Sequence, residues 1–104
     1  MIRLQAFYPN TKDGHFDHDY YVNRHAPVVH ELLDPLGLVG FEVSRGLESM
    51  EGDEAPYTCV VTATFESREA MDQGFSGERR ERLLNDIPNF TDVAPIIQIS
   101  EVLL

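Results

Sequence analysis

Alternating and helical periodicities follow one another along this chain in the order strand, helix, strand, strand, helix, strand, and few folds accept that order. Ile2 to Tyr8 alternates, with Ile2, Leu4, Ala6 and Tyr8 on one face and Arg3, Gln5 and Phe7 on the other. Pro9 to Gly14 supplies turn chemistry. A helix is predicted from Asp17, a good N-cap with Asp19 in the favourable first turn, to Leu33. Pro27 has no backbone N–H to donate, so this helix should bend or loosen near Asn23, and Asp34-Pro35 closes it. Val39, Phe41 and Val43 alternate in a second strand running to about Leu47, and the acidic stretch from Glu48 to Pro56 reads as a loop.

The third strand, Tyr57 to Phe65, puts Tyr57, Cys59, Val61, Ala63 and Phe65 on one side and Thr58, Val60, Thr62 and Thr64 on the other. Ser67 caps a second helix whose apolar side is Ala70, Met71 and Phe75. A break at Ser76-Gly77 precedes a charged helical piece, Glu78 to Asn85, in which Arg79, Arg80 and Arg82 form a solvated face. Asp86 to Phe90 is a loop, and Ile96 to Leu103 is the last strand.

The order is βαββαβ, a single α+β domain over residues 1–104 on the ferredoxin-like plan, with one antiparallel sheet and both helices on one face. A chain of 104 residues with 42% apolar content buries roughly two-thirds of its unfolded surface, enough for one core. The outer sheet face carries Val60, Thr62, Ile96 and Val102, too apolar and β-branched for open water. A second sheet packed on it resolves the conflict, so a homodimer is expected.

A formal charge of −10, from 8 Lys+Arg against 18 Asp+Glu, argues against nucleic acid or an anionic membrane as partner, since both need a positive field. Cys59, the single cysteine, lies in an apolar run and reads as a small buried hydrophobe rather than a nucleophile. The N-terminus lacks the apolar block of a signal peptide, and no stretch approaches a membrane span, so a cytoplasmic protein is expected.

The run Tyr20-Tyr21-Val22-Asn23-Arg24-His25-Ala26-Pro27 carries the chemistry. Tyr21 and His25 lie one turn apart on a helix face that also collects His18, Val22, Val28, Val29 and Leu32. Buried polar groups need partners. Either both rings are satisfied by core hydrogen bonds, or they wall a cavity between helix and sheet that holds a ligand.

These features resemble the EthD-like family of dimeric α+β barrels over nearly the whole chain. The likeness rests on Tyr8-Pro9, on Phe16-Asp17, on Tyr20-Tyr21 with His25-Ala26-Pro27, on Phe65 to Ala70 entering the second helix, and on Asp86 to Thr91 before the last strand. It implies a face-to-face sheet dimer with a pocket in each subunit between helices and sheet. The family's namesake is tied to bacterial degradation of ethyl tert-butyl ether, and related barrels include cofactor-independent oxygenases, isomerases and haem proteins. Members similar to EthD are commonly classed as oxidoreductases. His15 and His18 are additional histidines around the helix start.

An imidazole in an apolar pocket can take or give a proton near neutral pH. His25 is therefore the candidate general acid or base, with Tyr21 holding a substrate oxygen or His25 itself. Such a pair suits proton abstraction from a small apolar, aromatic or enolic compound, the carbanion then meeting oxygen or a second proton. His18, Phe41, Phe75 and Phe90 are candidates to line the substrate site, Phe65 is a further apolar wall, and all four phenylalanines also read as ordinary core. Asp86 is a second acid or base, or the cap of a turn.

No metal site is expected, because His18 and His25 stand about 10 Å apart in helical rise. His25 alone could ligate a haem, yet only Arg24 nearby would meet the propionates, and no dinucleotide fingerprint, P-loop or nucleophile elbow is present, so no cofactor is expected. Two functions follow: a cofactor-independent enzyme of small-molecule catabolism, oxidoreductase or isomerase, or a non-catalytic module that binds an apolar metabolite for a partner oxygenase.

Overall fold

A computed structural model describes residues 1–104. Strands β1 (Ile2–Pro9), β2 (Leu38–Arg45), β3 (Tyr57–Phe65) and β4 (Ile96–Glu101) form one antiparallel sheet in the order β2-β3-β1-β4. The first crossover holds α1 (His18–Tyr20), a π-helical turn (Tyr21–His25) and α2 (Ala26–Leu33), which run on as one helix and end in a 3-10 turn (Asp34–Leu36). The second holds α3 (Arg68–Gly74), α4 (Gly77–Asp86) and a 3-10 turn (Ile87–Asn89). This is the α+β ferredoxin-like arrangement.

Local chemistry explains the boundaries. Asp17 Oδ1 accepts from the Tyr20 amide at 2.9 Å and Ser67 Oγ from the Ala70 amide at 3.1 Å, both N-caps read from sequence. Gly37 stops the first helical unit at φ 109°, and a Cβ there would come within 2.9 Å of the Ala70 Cβ. Gly74 plays a packing role, since its own Cβ would stand 2.8 Å from Leu33 Cδ2.

The helix-facing side of the sheet buries Ala6, Tyr8, Cys59, Val61, Ala63 and Phe65. They divide the core in two. Ala63 and Phe65 pack with Val29, Leu33, Leu38, Met71 and Leu83, and Phe75 joins this aliphatic half. Ala6, Tyr8, Cys59 and Val61 pack with Tyr21 and Phe90, with Phe16, Tyr20 and Ile87 around them, and Phe41 touches both halves.

The alternation departs from expectation at three places. A bulge between Leu38 and Gly40 slips the register, so Val39 is exposed while Phe41 and Val43 face inward. Val22 is 54% exposed and leaves the apolar helix face, because the π turn changes the phase after Tyr21. The strands also end sooner than read, at Arg45 and Glu101.

The outer sheet face is more polar than its sequence suggested. Register places Phe7 between Val60 and Ile96, but Gln5 lies between Thr62 and Gln98, and its amide donates to Thr62 Oγ1 at 3.2 Å. Apolar exposure instead concentrates at β4, on both faces. Ile97 and Ile99 pair with Ala6 and Leu4 on the helix side, yet remain 57% and 42% exposed because the helices do not reach that edge.

Candidate functional site

The site is assembled by a seam between two loops distant in sequence. Phe16 bridges Thr91 in antiparallel fashion, the Asp17 amide donates to the Phe90 carbonyl at 2.7 Å, and Thr91 Oγ1 donates to the His15 carbonyl at 2.6 Å. The seam holds the start of the first helix against the turn at Asp86–Phe90.

The π turn then aims the side chains. Pro27 offers no N–H, and the Ala26 amide reaches back five residues to the Tyr21 carbonyl. In an α-helix residues five apart diverge by roughly 140°. The wider turn swings His25 back toward the side of Tyr20, and both meet one carboxylate.

That carboxylate is Asp86. Its Oδ1 accepts from the Tyr20 hydroxyl at 2.6 Å and from Asn89 Nδ2 at 2.9 Å, and its Oδ2 accepts from His25 Nδ1 at 2.8 Å. The side chains of His25 and Asp86 are 7% and 18% exposed. Burial pushes the Asp86 carboxyl upward, but the hydrogen bonds from Tyr20, Asn89 and His25 outweigh it and hold the group below the usual carboxylate range. The same bond, with burial, raises the Tyr20 phenol.

An ionised Asp86 can only accept, so Nδ1 of a neutral His25 carries the proton and the Nε2 lone pair is free. This tautomer is assigned from the network. Nε2 has no partner within the chain, and the ring lies 4.8 Å from both Tyr21 and Phe90. A carboxylate–imidazole pair of this kind orients a base and stabilises the imidazolium it becomes.

Tyr21 is buried, its hydroxyl makes no hydrogen bond within the chain, and desolvation raises its phenol far above the ordinary value, so it can donate but not act as a base. Neighbouring Tyr8 is pushed up to about 12 by burial and then by Cys59. The Cys59 thiol is itself pushed up to about 11 by burial, which keeps it protonated and in the role of a small hydrophobe.

The structure brings His25, Tyr21, Phe41 and Phe90 together: Phe41 stacks on Tyr21 at 6.5 Å, and Phe90 meets Tyr21 edge-on at 4.8 Å. His18 sits at the margin, where its Nε2 donates to the Thr58 carbonyl at 3.0 Å and its ring packs on Phe16. Phe75 packs on Phe65 in the aliphatic half and is not part of the cluster, a correction to its reading as a substrate contact. Asp86, which the sequence offers as a second acid or base or as a turn cap, is the hub of the network, and Tyr20 and Asn89 are its further partners.

The expected hollow between helix and sheet is occupied by the rings of Phe16, Tyr21, Phe41 and Phe90. An open groove of about 450 Å³ lies instead between the first helix and α4, lined by Tyr20, Arg24, Val28, Arg82, Asn85 and Asp86. No group of three His, Cys, Asp or Glu side chains is placed to hold a metal ion, and no helix is long and apolar enough to cross a membrane.

The family model of the EthD domain matches residues 12–94. The chain belongs to the EthD family. Its structure is similar to that of an EthD-like protein from Ralstonia eutropha JMP134, at 33% identity and a TM-score of 0.91, covering 99% of this chain and 92% of that one. An ethyl tert-butyl ether D family protein from Bacillus halodurans C-125 shares the fold at 20% identity and a TM-score of 0.77, with 99% of each chain covered. So does a dimeric ferredoxin-like protein of unknown function from Jannaschia sp. CCS1, at 15% identity and 0.65, with 97% of each chain covered. Comparison with curated proteins gives no match.

Proposed function

We propose that this EthD protein is a cofactor-independent enzyme of small-molecule catabolism, an oxidoreductase or isomerase, with His25 as its general acid–base group. The observation that carries the reading is the 2.8 Å bond from His25 Nδ1 to Asp86, which leaves Nε2 free as a lone pair among aromatic rings. Nε2 takes a proton from an acidic C–H or O–H of a small aromatic or enolic compound, which reaches the imidazole when the packed rings of Tyr21, Phe41 and Phe90 part to admit it. Asp86 stabilises the imidazolium, and the Tyr21 hydroxyl donates to the oxygen on which charge develops. The imidazolium returns the proton to another carbon of the carbanion, which is isomerisation; or the carbanion forms a C–O bond with dioxygen, the peroxide takes the proton from the imidazolium, and its O–O bond breaks with loss of water to leave a carbonyl, which is oxygenation.

The same reading makes the protein a cytoplasmic homodimer joined through its sheets. Half-buried Phe7 and Val60 beside exposed Ile96 on the outer sheet face, and the bare apolar edge at β4, support the dimer, as does the dimeric ferredoxin-like neighbour. The unpaired Cys59 suits a reducing compartment.

The filled space behind His25 and the open 450 Å³ groove beside it favour a second reading, a binding module that hands a small metabolite to a partner oxygenase. One experiment separates the two. The protein is purified natively, its bound small molecules are identified by mass spectrometry, and each is incubated with the protein alone under air and under argon. Conversion of a ligand by the protein alone supports the enzyme, with oxygen uptake marking oxygenation. Stoichiometric binding without conversion under either gas overturns it in favour of the module.

A further inference from the structure

The chain has 8 cationic side chains against 18 acidic ones, yet two of its arginines line one concavity. Arg24, from the π turn, makes no ion pair there, and Arg82, from α4, pairs only with Glu31 at 3.0 Å. The Arg82–Glu31 contact is half-exposed on both sides, and Glu31 does not line the groove. An exposed pair of this kind contributes little and yields readily to a better acceptor. The one acidic lining group, Asp86, already accepts from Tyr20, Asn89 and His25, so it offers little to either guanidinium.

The remaining lining sets the shape of what fits. The Tyr20 hydroxyl spends its proton on Asp86, which leaves its oxygen as an acceptor toward the groove. The Asn85 amide makes no hydrogen bond within the chain and offers both a donor and an acceptor, and Val28 gives the floor its apolar patch. About 450 Å³ accommodates a small organic molecule.

From these observations we infer that the groove between the first helix and α4 binds a small hydroxylated aromatic or enolic carboxylate. The carboxylate lies against Arg24 and Arg82, whose planar forks match its two oxygens. The ring or enol plane covers Val28, and the hydroxyl donates to Tyr20 or Asn85. Because the site is defined by the guanidinium pair, it stands whether or not His25 is catalytic.

The test uses 3-hydroxybenzoate as probe and 3-hydroxybenzamide as its neutral counterpart, titrated into the 15N-labelled full chain. The acid is expected to move the resonances of Arg24, Val28, Arg82 and Asn85 in a saturable way, and the amide to bind at least roughly tenfold more weakly. Arg24→Gln and Arg82→Gln should each weaken the acid by about the same factor and leave the amide unaffected. The site is refuted if acid and amide bind equally, if shifts map elsewhere or are absent at millimolar probe, or if both variants bind the acid as the wild type does. The comparison of acid with amide needs no variant, so it decides the matter even if a substitution disturbs folding.

Discussion

Replacing Asp86 by Asn keeps the shape of the hub and removes its charge. Three donors meet the carboxylate at 2.6, 2.8 and 2.9 Å. Hydrogen bonds to a charged group contribute about 1.5–3 kcal/mol and neutral ones about 1. The carboxamide can still accept from Tyr20 and Asn89 through its oxygen, so the expected loss of stability is about 1–3 kcal/mol, a fall in Tm of roughly 4–20 °C for a domain of this size. The larger effect is on the imidazole. An amide nitrogen facing Nδ1 is a donor, so His25 must turn Nδ1 into the acceptor and carry its proton on Nε2, which abolishes the base. The same tautomer trap costs a serine protease about 10⁴-fold in kcat. Imidazole 15N spectra should show Nδ1–H in the wild type and Nε2–H in the variant. The pH dependence has a definite sign. The folded-state pKa of Asp86 is depressed, so its stabilisation is complete above the unfolded value of about 4 and is lost as pH falls through the lower folded value. The part of the stability gap between wild type and Asp86→Asn that rests on this carboxylate's own titration should therefore close as pH falls below about 4. An unchanged tautomer in the variant, or a gap that persists undiminished at about pH 2, refutes the role given to this carboxylate.

Tyr21→Phe removes a hydroxyl with no partner in the chain, so Tm should hold within a few degrees while turnover falls by about 10- to 150-fold, the worth of one hydrogen bond to a charged oxygen. Phe90 is fully buried beneath His25 and Tyr21, so Phe90→Ala should cost about 3–5 kcal/mol in urea unfolding; a loss below about 1 kcal/mol would show that the aromatic half of the core collapses around the gap. Sedimentation should give a dimer for the wild type, burying on the order of 1,600 Å², and monomer or aggregate for Ile96→Lys. A monodisperse wild-type monomer at micromolar concentration removes the sheet interface.

Much of the fold is written locally. Asp17 and Ser67 cap the helices they were expected to cap, the break at Ser76-Gly77 divides α3 from α4, and Cys59, Val61, Ala63 and Phe65 alternate inward as read. The misplaced residues share a cause. Val22 and Val39 each lie where one extra residue enters the repeat, through the π turn and the bulge at Leu38/Gly40, and a fixed period of 3.6 or 2 carries no sign of the slip. Pro27 did mark the weak point of the helix, but a missing donor does not say whether the helix will kink or widen. His25 was legible because Tyr21 lies one turn away. Asp86 was not recognised as its partner because 61 residues separate them, and only the seam of residues 15–17 with residues 90–92 brings them together. Phe75 shows the converse: a phenylalanine on the correct face of a helix still falls in whichever half of the core its helix covers.

The most direct measurement is the turnover of the first identified substrate by His25→Gln beside the wild type. The glutamine amide can donate to Asp86 as the imidazole does, so the hub survives while the exchangeable lone pair is lost. The account predicts a fall in kcat of about 10²–10⁴-fold with Tm little changed. Full activity in a variant that unfolds more easily would contradict it, and would make His25 a core residue whose hydrogen bond to Asp86 serves only the fold.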